Sequence, residues 1–250
     1  MRLGGAILAL AALPALAAPP VKVGVFGLFR PQRLTVKPVG GQVLEVAAGS
    51  ERIELTPGRV AGLRREGGAV DCFAMRRLVS APVVRMAARG GGAAEFVLAA
   101  PGRIERRFRG TLEVSVEAEA LLAVAGIEME TAVASAVAAE LPGGTPAAAL
   151  AAQAVVARSY YTARRGRHGA YDFCDTTHCQ FVRDPPAAGS EAERAALETR
   201  GLVLVYEGAA VTGLHSAACG GRTRTAAETG MPAEGYPYFA VPCEHCRLHA

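Results

Sequence analysis

One segment of the chain, residues 171–181, concentrates side chains that could bind a metal, attack an electrophile or hold a polar ligand. It reads Tyr-Asp-Phe-Cys-Asp-Thr-Thr-His-Cys-Gln-Phe, with two cysteines, a histidine, two aspartates, two threonines and a glutamine. A segment that only packs against a core has no use for so many polar groups. Such a density is typical of a loop that grips a metal, closes a small disulfide ring or lines a ligand site.

The cysteines of this segment leave three interpretations open. Cys174 and Cys179, with His178, could bind zinc, because thiolate and imidazole suit tetrahedral Zn²⁺. The two cysteines could instead form a disulfide, or Cys179 or His178 could act as a nucleophile or base. Cys243 and Cys246 have the more usual spacing of a zinc half-site, and they could complete a four-thiolate site with the first pair or form a second set of disulfide partners.

A single glutamate is placed where a general acid could be. Glu140 ends an Ala/Val-rich predicted helix, directly before Leu-Pro-Gly-Gly. A carboxylate at a helix C-terminus meets the negative end of the helix dipole, which favours the protonated form, as apolar neighbours also would. A protonated carboxyl can donate to a leaving group. A solvated glutamate at a helix end is the alternative.

Four further polar residues are candidates for a ligand site. Gln153 and Arg158 lie five residues apart on a predicted helix, roughly 140° around its axis, so they need not share a face. Arg158 could equally be a surface or capping charge. His215 and Ser216 precede a Cys-Gly-Gly sequence, which is typical of a place where backbone and ligand approach closely. A Ser–His hydrolase is disfavoured, because sequence neighbours rarely form a triad and no Gly-x-Ser-x-Gly elbow exists.

The elements that must position these residues follow two periodicities. Leu and Val alternate with Glu and Ser over residues 112–117, as in a half-buried strand. Similar short segments, separated by Gly- and Pro-containing turns, cover residues 21–25, 33–39, 43–47, 52–55 and 95–99. We therefore predict a β-rich region over residues 18–109.

Helical spacing begins after Gly126. A first helix runs to residue 141, a second begins with Thr145 as N-cap and Pro146 as first helical residue and ends near Arg165, and a third covers residues 190–199. A hairpin with its turn at Glu207 and Gly208 joins residues 202–206 to 209–214, and residues 220–250 are predicted to be loop. The fold class is α+β, with a β-rich region followed by a mixed helix and strand domain over residues 110–250.

The N-terminus predicts export. Arg2, an apolar run over residues 6–13 and a small-x-small sequence at residues 15–17 are typical of a signal peptide, which would be removed after residue 17. We expect a protein of the periplasm or cell wall, with no membrane span after cleavage. Disulfides persist there, and six cysteines allow many pairings. The net charge of +4 comes without a basic block interleaved with aromatics, so nucleic acid is not an expected partner.

Five stretches, taken in order, resemble the stage II sporulation protein D family, whose domain is also called SpoIID/LytB. They lie between about residues 110 and 238, and the Cys-Asp-Thr-Thr-His-Cys-Gln sequence is the most specific of them. The matching stretches are residues 138–142, 149–160, 171–181, 199–208 and 215–223.

The resemblance implies a peptidoglycan lytic transglycosylase. Such an enzyme cuts the bond between N-acetylmuramic acid and N-acetylglucosamine in peptide-stripped glycan strands and leaves a 1,6-anhydro end. It implies that Glu140 is the catalytic acid and base, since the glutamate of the family's Glu-Leu/Met-Pro motif falls there. It also implies zinc at Cys174, His178 and Cys179, with a disulfide of the same cysteines as the alternative. The residues that it places along the glycan groove are Gln153, Arg158, Thr177, Gln180 and Ser216.

The chain departs from the family in two respects. Family members continue beyond the Gly-Gly-x-Thr motif, so the resemblance predicts either a C-terminally truncated or a compact variant. The alanine-rich composition differs from that of spore-former proteins, so general wall remodelling is as good an expectation as sporulation. The rival prediction is a non-catalytic wall-binding protein that enhances a partner amidase. A third is a structural domain in which a metal holds the cysteine loop.

Overall fold

The computed structural model describes residues 9–12, 19–180, 182–216, 218–230 and 239–249. Strands and helices together form an α+β fold, which confirms the predicted class. The strands are β1 (Ala9–Ala12), β2 (Val21–Val25), β3 (Arg33–Pro38), β4 (Leu44–Ala48), β5 (Glu51–Leu55), β6 (Ala61–Glu66), β7 (Ala69–Ala74), β8 (Arg77–Ala81), β9 (Val83–Ala88), β10 (Ala94–Ala100), β11 (Ile104–Glu117), β12 (Ala120–Ile127), β13 (Phe173–Cys174), β14 (Leu202–Tyr206) and β15 (Ala209–Ala210). The α-helices are α1 (Met129–Glu140), α2 (Ala147–Ala163), α3 (Glu191–Glu198) and α4 (Glu244–His249).

A twelve-stranded sheet contains most of the N-terminal region. Its main path runs β13-β2-β12-β11-β10-β3-β6-β7-β8, and β4, β5 and β9 attach to it through β11. The six predicted strand segments are all strands, whereas β6 to β9 and β12 were not predicted. β11 is long enough to pair with β10, β12 and β9. The predicted division between residues 109 and 110 falls inside this strand.

The helices α1, α2 and α3 follow β2 to β12 in the chain and pack against one another. α1 is almost wholly buried along its Ala- and Val-rich length, as its composition predicts. The sequence predicted Thr145 as the N-cap of α2, but the N-cap is Pro146. The Thr145 hydroxyl instead donates back to Pro142 O at 2.7 Å. Ser190 caps α3 by accepting from the N–H of Glu193. The predicted C-terminal loop contains α4 and a short 3₁₀ helix, Ala227–Thr229.

A buried ion pair holds these helices together. The guanidinium of Arg158 on α2 donates to both carboxylate oxygens of Glu130 on α1, at 2.5 and 3.2 Å. It also donates to the carbonyl oxygens of Ala196, near the end of α3, and Leu202, at the start of β14. Only 1% of the Arg158 side chain is exposed. The structure therefore corrects both expectations for Arg158, because the side chain is neither a surface charge nor free to contact a glycan.

A second, small sheet joins the N-terminus to the hairpin. β1 pairs antiparallel with β14, from Ala9 opposite Val205 to Ala12 opposite Leu202. The rest of the predicted signal peptide, residues 1–8 and 13–17, lies outside the described residues. The predicted hairpin is present, although β15 is only two residues long. Within the described ranges, no helix combines the length and the hydrophobicity needed to cross a bilayer.

Candidate active site

The cysteine loop, residues 171–180, is held against the large sheet by its own aspartates. β13 runs parallel to β2, with Cys174 opposite Gly24. Asp172 accepts from the N–H of Lys22, at the start of β2. Asp175 accepts from the N–H of Phe26 and from Arg106 Nη1, at 3.2 and 3.0 Å. Both aspartates of the segment thus fix the loop, which leaves its cysteines, histidine and glutamine for other contacts.

Close packing of the loop requires a glycine on β2. A Cβ built on Gly24 would lie 2.6 Å from the Tyr171 ring. Tyr171 in turn stacks on His168, with ring centroids 4.8 Å apart and planes 15° apart. The absence of a side chain at Gly24 therefore leaves room for the Tyr171 ring, against which His168 stacks.

The side chain of Glu140 lines a small pocket beside the cysteine loop. Its Oε1 accepts from Gln180 Nε2 at 3.1 Å, and its Oε2 lies 3.4 Å from His215 Nε2. The side chain of Glu140 is 33% exposed. The pocket encloses about 200 Å³ and is lined by Glu140, Tyr160, Thr177, Cys179, Gln180, Gly213, Leu214 and His215. The side chains that contact the carboxylate through polar atoms are Gln180 and His215.

Most of the predicted groove residues lie at or near this pocket. Thr177 and Gln180 line it directly. Gln153 reaches it indirectly, because its amide nitrogen is 3.3 Å from His215 Nε2. Ser216 lines an adjoining cavity of about 640 Å³, to which His215 also contributes. Arg158 is not among the lining residues of either cavity.

His215 is the pocket residue that sequence reasoning undervalued. The sequence makes it a candidate for a ligand site but gives no reason to pair it with Glu140, whereas the structure places its imidazole between Glu140 and Gln153. The signal that could have identified it is its place at the end of the β14–β15 hairpin, in one of the motifs of the resemblance.

The cysteine loop and the segment after α2 bring together four donor atoms. One atom each from His168, Cys174, His178 and Cys179 lies within 4.8 Å of the others. His178 Nδ1 is 3.6 Å from Cys174 Sγ and 3.5 Å from Cys179 Sγ. Zinc–sulfur and zinc–nitrogen bonds of about 2.3 and 2.0 Å at a tetrahedral angle separate sulfur and nitrogen by about 3.5 Å. The cluster therefore fits a tetrahedral ion such as Zn²⁺, bound by two thiolates and two imidazoles.

Local electrostatics favour the ligand forms of two of these groups. Burial opposes ionisation of Cys174, but hydrogen bonds from Thr176, His178 and Cys179 outweigh it and lower the pKa of the thiol to about 7. Burial, with the nearby His178 and Arg167, lowers the pKa of His168 and so favours the neutral imidazole. For Cys179, in contrast, burial raises the pKa. His168 was not predicted as a ligand, because it lies six residues before Cys174 and outside the motif.

The other candidate half-site belongs to a separate cluster. Cys243 and Cys246 were expected to join Cys174 and Cys179 or to form disulfides, but their sulfur atoms lie within 4.8 Å of Cys219 Sγ instead. All six cysteines are free thiols in the structure. Cys72 is wholly buried in β7, where burial raises its pKa to about 11.

One family model matches part of the chain. Residues 117–206 match the family model described as SpoIID, Stage II sporulation protein. The matched range includes Glu140, α1 to α3 and the whole cysteine loop. No curated protein matches the chain. The family match confirms the resemblance over residues 117–206 and supports a role related to the cell wall.

Proposed function

We propose that the protein is an exported lytic transglycosylase that acts on peptide-stripped peptidoglycan strands, with Glu140 as general acid and base. One observation carries the proposal: among the described residues that line the small pocket, Glu140 is the only carboxylate. Glycoside hydrolysis ordinarily uses two carboxyl groups, one of which activates water or attacks the sugar. A transglycosylase needs only one, because the 6-hydroxyl of the sugar is the nucleophile.

The chemical step balances on a single carboxyl group. Protonated Glu140 gives its proton to the glycosidic oxygen as the bond from the muramic acid C1 to that oxygen breaks. The sugar's own O6 then bonds to C1, and the carboxylate takes the O6 proton. The carboxyl group is regenerated, and the products are a free N-acetylglucosamine 4-hydroxyl and a 1,6-anhydro end.

The neighbours of Glu140 have separate tasks in this proposal. Gln180 donates to one carboxylate oxygen and fixes the direction in which the other faces the pocket. His215, held by Gln153, flanks the second oxygen. Tyr160 and Thr177 supply hydroxyl groups in the same small pocket, where they can bind sugar hydroxyls. Ser216 extends the polar lining into the larger cavity.

A zinc ion would have a structural task. His168, Cys174, His178 and Cys179 would hold it, and with all four positions filled by side chains it would supply a crosslink and no open position for catalysis. Thr177 and Gln180 flank the His178–Cys179 pair, so this crosslink would keep both in place at the pocket. A disulfide between Cys174 and Cys179 is the alternative way to close this loop.

The test is digestion of purified, peptide-stripped glycan strands by the mature chain and by Glu140→Gln. We expect 1,6-anhydro ends from the wild type and a rate at least a hundredfold lower for the variant, the usual order of a lost general acid. Sedimentation with insoluble glycan should show unchanged binding. Glu198→Gln is the matched control, because Glu198 is likewise the last residue of a helix, α3, but lines neither cavity.

Two results would overturn the proposal. Cleavage by Glu140→Gln at the wild-type rate would remove Glu140 from the role. Binding of glycan by the folded wild type without any anhydro product would favour the amidase-enhancing alternative, which a partner amidase assay would then measure.

A further inference from the structure

A second cluster of thiols lies outside the pocket of Glu140. Cys219 follows the β14–β15 hairpin, Cys243 directly precedes α4, and Cys246 lies in the first turn of α4. Their three sulfur atoms lie within 4.8 Å of one another, and each side chain is half-buried. A tetrahedral zinc separates two thiolate sulfurs by about 3.8 Å, so three such atoms fit around one ion.

Main-chain hydrogen bonds bring the two segments of this cluster together. The N–H of Cys243 donates to Gly221 O at 2.8 Å, and the N–H of Thr223 donates to Val241 O at 3.0 Å. Arg222 and Pro242 form an isolated antiparallel bridge between them. The convergence of the thiols is therefore built by the backbone and does not depend on side-chain rotation alone.

The glycines after Cys219 serve this approach. Gly220 and Gly221 have φ of +64° and +102°, which residues with a Cβ rarely adopt. A Cβ on Gly221 would also lie 3.2 Å from Cβ of Arg247 in α4. The Cys-Gly-Gly sequence thus lets the chain turn tightly and pass α4 with Cys219 facing the other two thiols.

The number of thiols separates a metal site from a disulfide. Any disulfide among three cysteines leaves the third thiol unpaired, whereas one cation can use all three. The other three cysteines are committed elsewhere, Cys174 and Cys179 to the first cluster and Cys72 to the core of the sheet. A Cys-x2-Cys sequence at a helix start is also the usual half-site of a zinc ion.

We propose that Cys219, Cys243 and Cys246 form a second site for a thiophilic divalent cation, with Zn²⁺ as the expected occupant. Within the described part of the chain, no other His, Cys, Asp or Glu joins the cluster. The described residues therefore supply three ligands, the number found in zinc sites whose fourth position holds water.

The position of the site gives it a consequence for the pocket. Cys219 lies four residues after His215, and both line the cavity of about 640 Å³. The ion would tether the loop that carries His215 to α4, and His215 is the imidazole that flanks Glu140. This consequence rests on the proposed function, whereas the binding of the metal does not.

Metal counting on the full chain tests the proposal. Protein is reduced, incubated with Zn²⁺ without oxygen, passed over a desalting column and measured by inductively coupled plasma mass spectrometry. We expect two zinc ions per wild-type chain and one in Cys219→Ser. Cys174→Ser, which affects the first cluster only, should also keep one, and the double variant none. Cys72→Ala is the matched control and should keep two.

Cobalt distinguishes the two sites by their ligands. Replacing zinc with Co²⁺ gives thiolate-to-metal absorption whose intensity rises with the number of thiolates. The part lost in Cys219→Ser should exceed the part lost in Cys174→Ser, because three thiolates are expected in one site and two in the other. Cys219→Ser should also lower glycan cleavage at least tenfold.

Three results would overturn the site. One is a wild-type zinc content that Cys219→Ser does not lower. Another is reduced, folded protein that binds no second ion. The third is a disulfide among these cysteines that forms when the zinc-loaded protein is exposed to air and is mapped by mass spectrometry, since bound zinc should protect all three thiols from oxidation. Because metal content is measured without glycan, an absence of cleavage by the wild type would count against the proposed function and not against this site. Wild-type cleavage that Cys219→Ser leaves unchanged would overturn the tether to His215.

Discussion

At the scale of single residues, the proposed chemistry of the pocket depends on the side chains that contact the Glu140 carboxylate. Glu140 is placed by the end of α1, but its direction is set by side chains from two other segments, Gln180 and His215. Gln180 follows Cys179 directly, so the same loop carries a candidate metal ligand and a partner of Glu140. The chemistry of the pocket and the fixing of the loop are therefore linked through adjacent residues.

Gln180→Ala should affect turnover more than substrate affinity. A hydrogen bond to a charged group contributes about 1.5–3 kcal/mol, so its loss should lower kcat roughly ten- to a hundredfold. Steady-state kinetics on soluble glycan fragments would measure kcat and KM separately. Thr177→Ala is the comparison, because Thr177 lines the same pocket and is assigned to sugar binding, so its loss should raise KM more than it lowers kcat. A higher KM with unchanged kcat would assign Gln180 to substrate binding alone, as the sequence predicted.

At the scale of elements, the buried pair of Arg158 and Glu130 connects α2 to its neighbours. Removing one partner of a buried ion pair leaves the other charge without compensation, which costs about 3–5 kcal/mol. We expect Arg158→Met to lower the free energy of unfolding by about this amount in urea denaturation. Arg85→Met is the matched control, because the Arg85–Glu113 pair is exposed and should contribute about 0–1 kcal/mol. Equal losses in the two variants would contradict the structural role of Arg158.

The close contact between β2 and the cysteine loop can be tested by a substitution that adds one methyl group to Gly24. Gly24→Ala should push the Tyr171 ring aside and lower the free energy of unfolding by about 1–3 kcal/mol. Because Tyr171 stacks on His168, zinc bound by the first cluster should also fall. Gly62→Ala on β6 is the control, since no atom lies within 4 Å of its added Cβ. Unchanged stability and zinc content in Gly24→Ala would show that the loop does not need this approach.

Prediction of elements from the sequence succeeded where one periodicity dominates. The strands β2, β3, β5 and β11 alternate apolar and polar residues over most of their length, and α1 to α3 carry clear start or stop signals. β12 was missed because it is apolar throughout, a pattern that a helix segment shares. Within β6 to β9, arginines and small residues weaken the alternation. These strands are fixed by pairing with neighbours, which no local pattern reports.

At the scale of the whole molecule, the candidate site is assembled from segments far apart in the chain. Glu140, the loop at residues 171–180 and His215 meet only because α1, β13 and the hairpin pack together, so the motifs predicted the residues but not their contacts. The sequence therefore identified Glu140, Thr177 and Gln180 as candidates. It could not indicate His168 as a ligand, or that Arg158 is enclosed by helices, because both follow from tertiary packing.

The first cluster should couple metal binding to the stability of the whole chain. It joins the segment after α2 to β13, which pairs with β2 of the large sheet. A ligand that binds only the folded state at a hundred times its Kd adds about 2.7 kcal/mol to the free energy of unfolding. In a chain of this size, that raises Tm by about 5–10 °C. Calorimetry on Cys219→Ser, in which only the first cluster should bind, would measure this shift on adding Zn²⁺.

Adding His168→Ala to the Cys219→Ser chain tests whether His168 is the fourth zinc ligand. In the Cys219→Ser background it should remove most of the zinc-dependent rise in Tm, because loss of one of four ligands weakens the site. Mg²⁺ at the same concentration should leave Tm unchanged in both proteins, since thiolate and imidazole are poor ligands for it. A full zinc-dependent rise in His168→Ala would show that Cys174, His178 and Cys179 suffice and that His168 only packs on Tyr171.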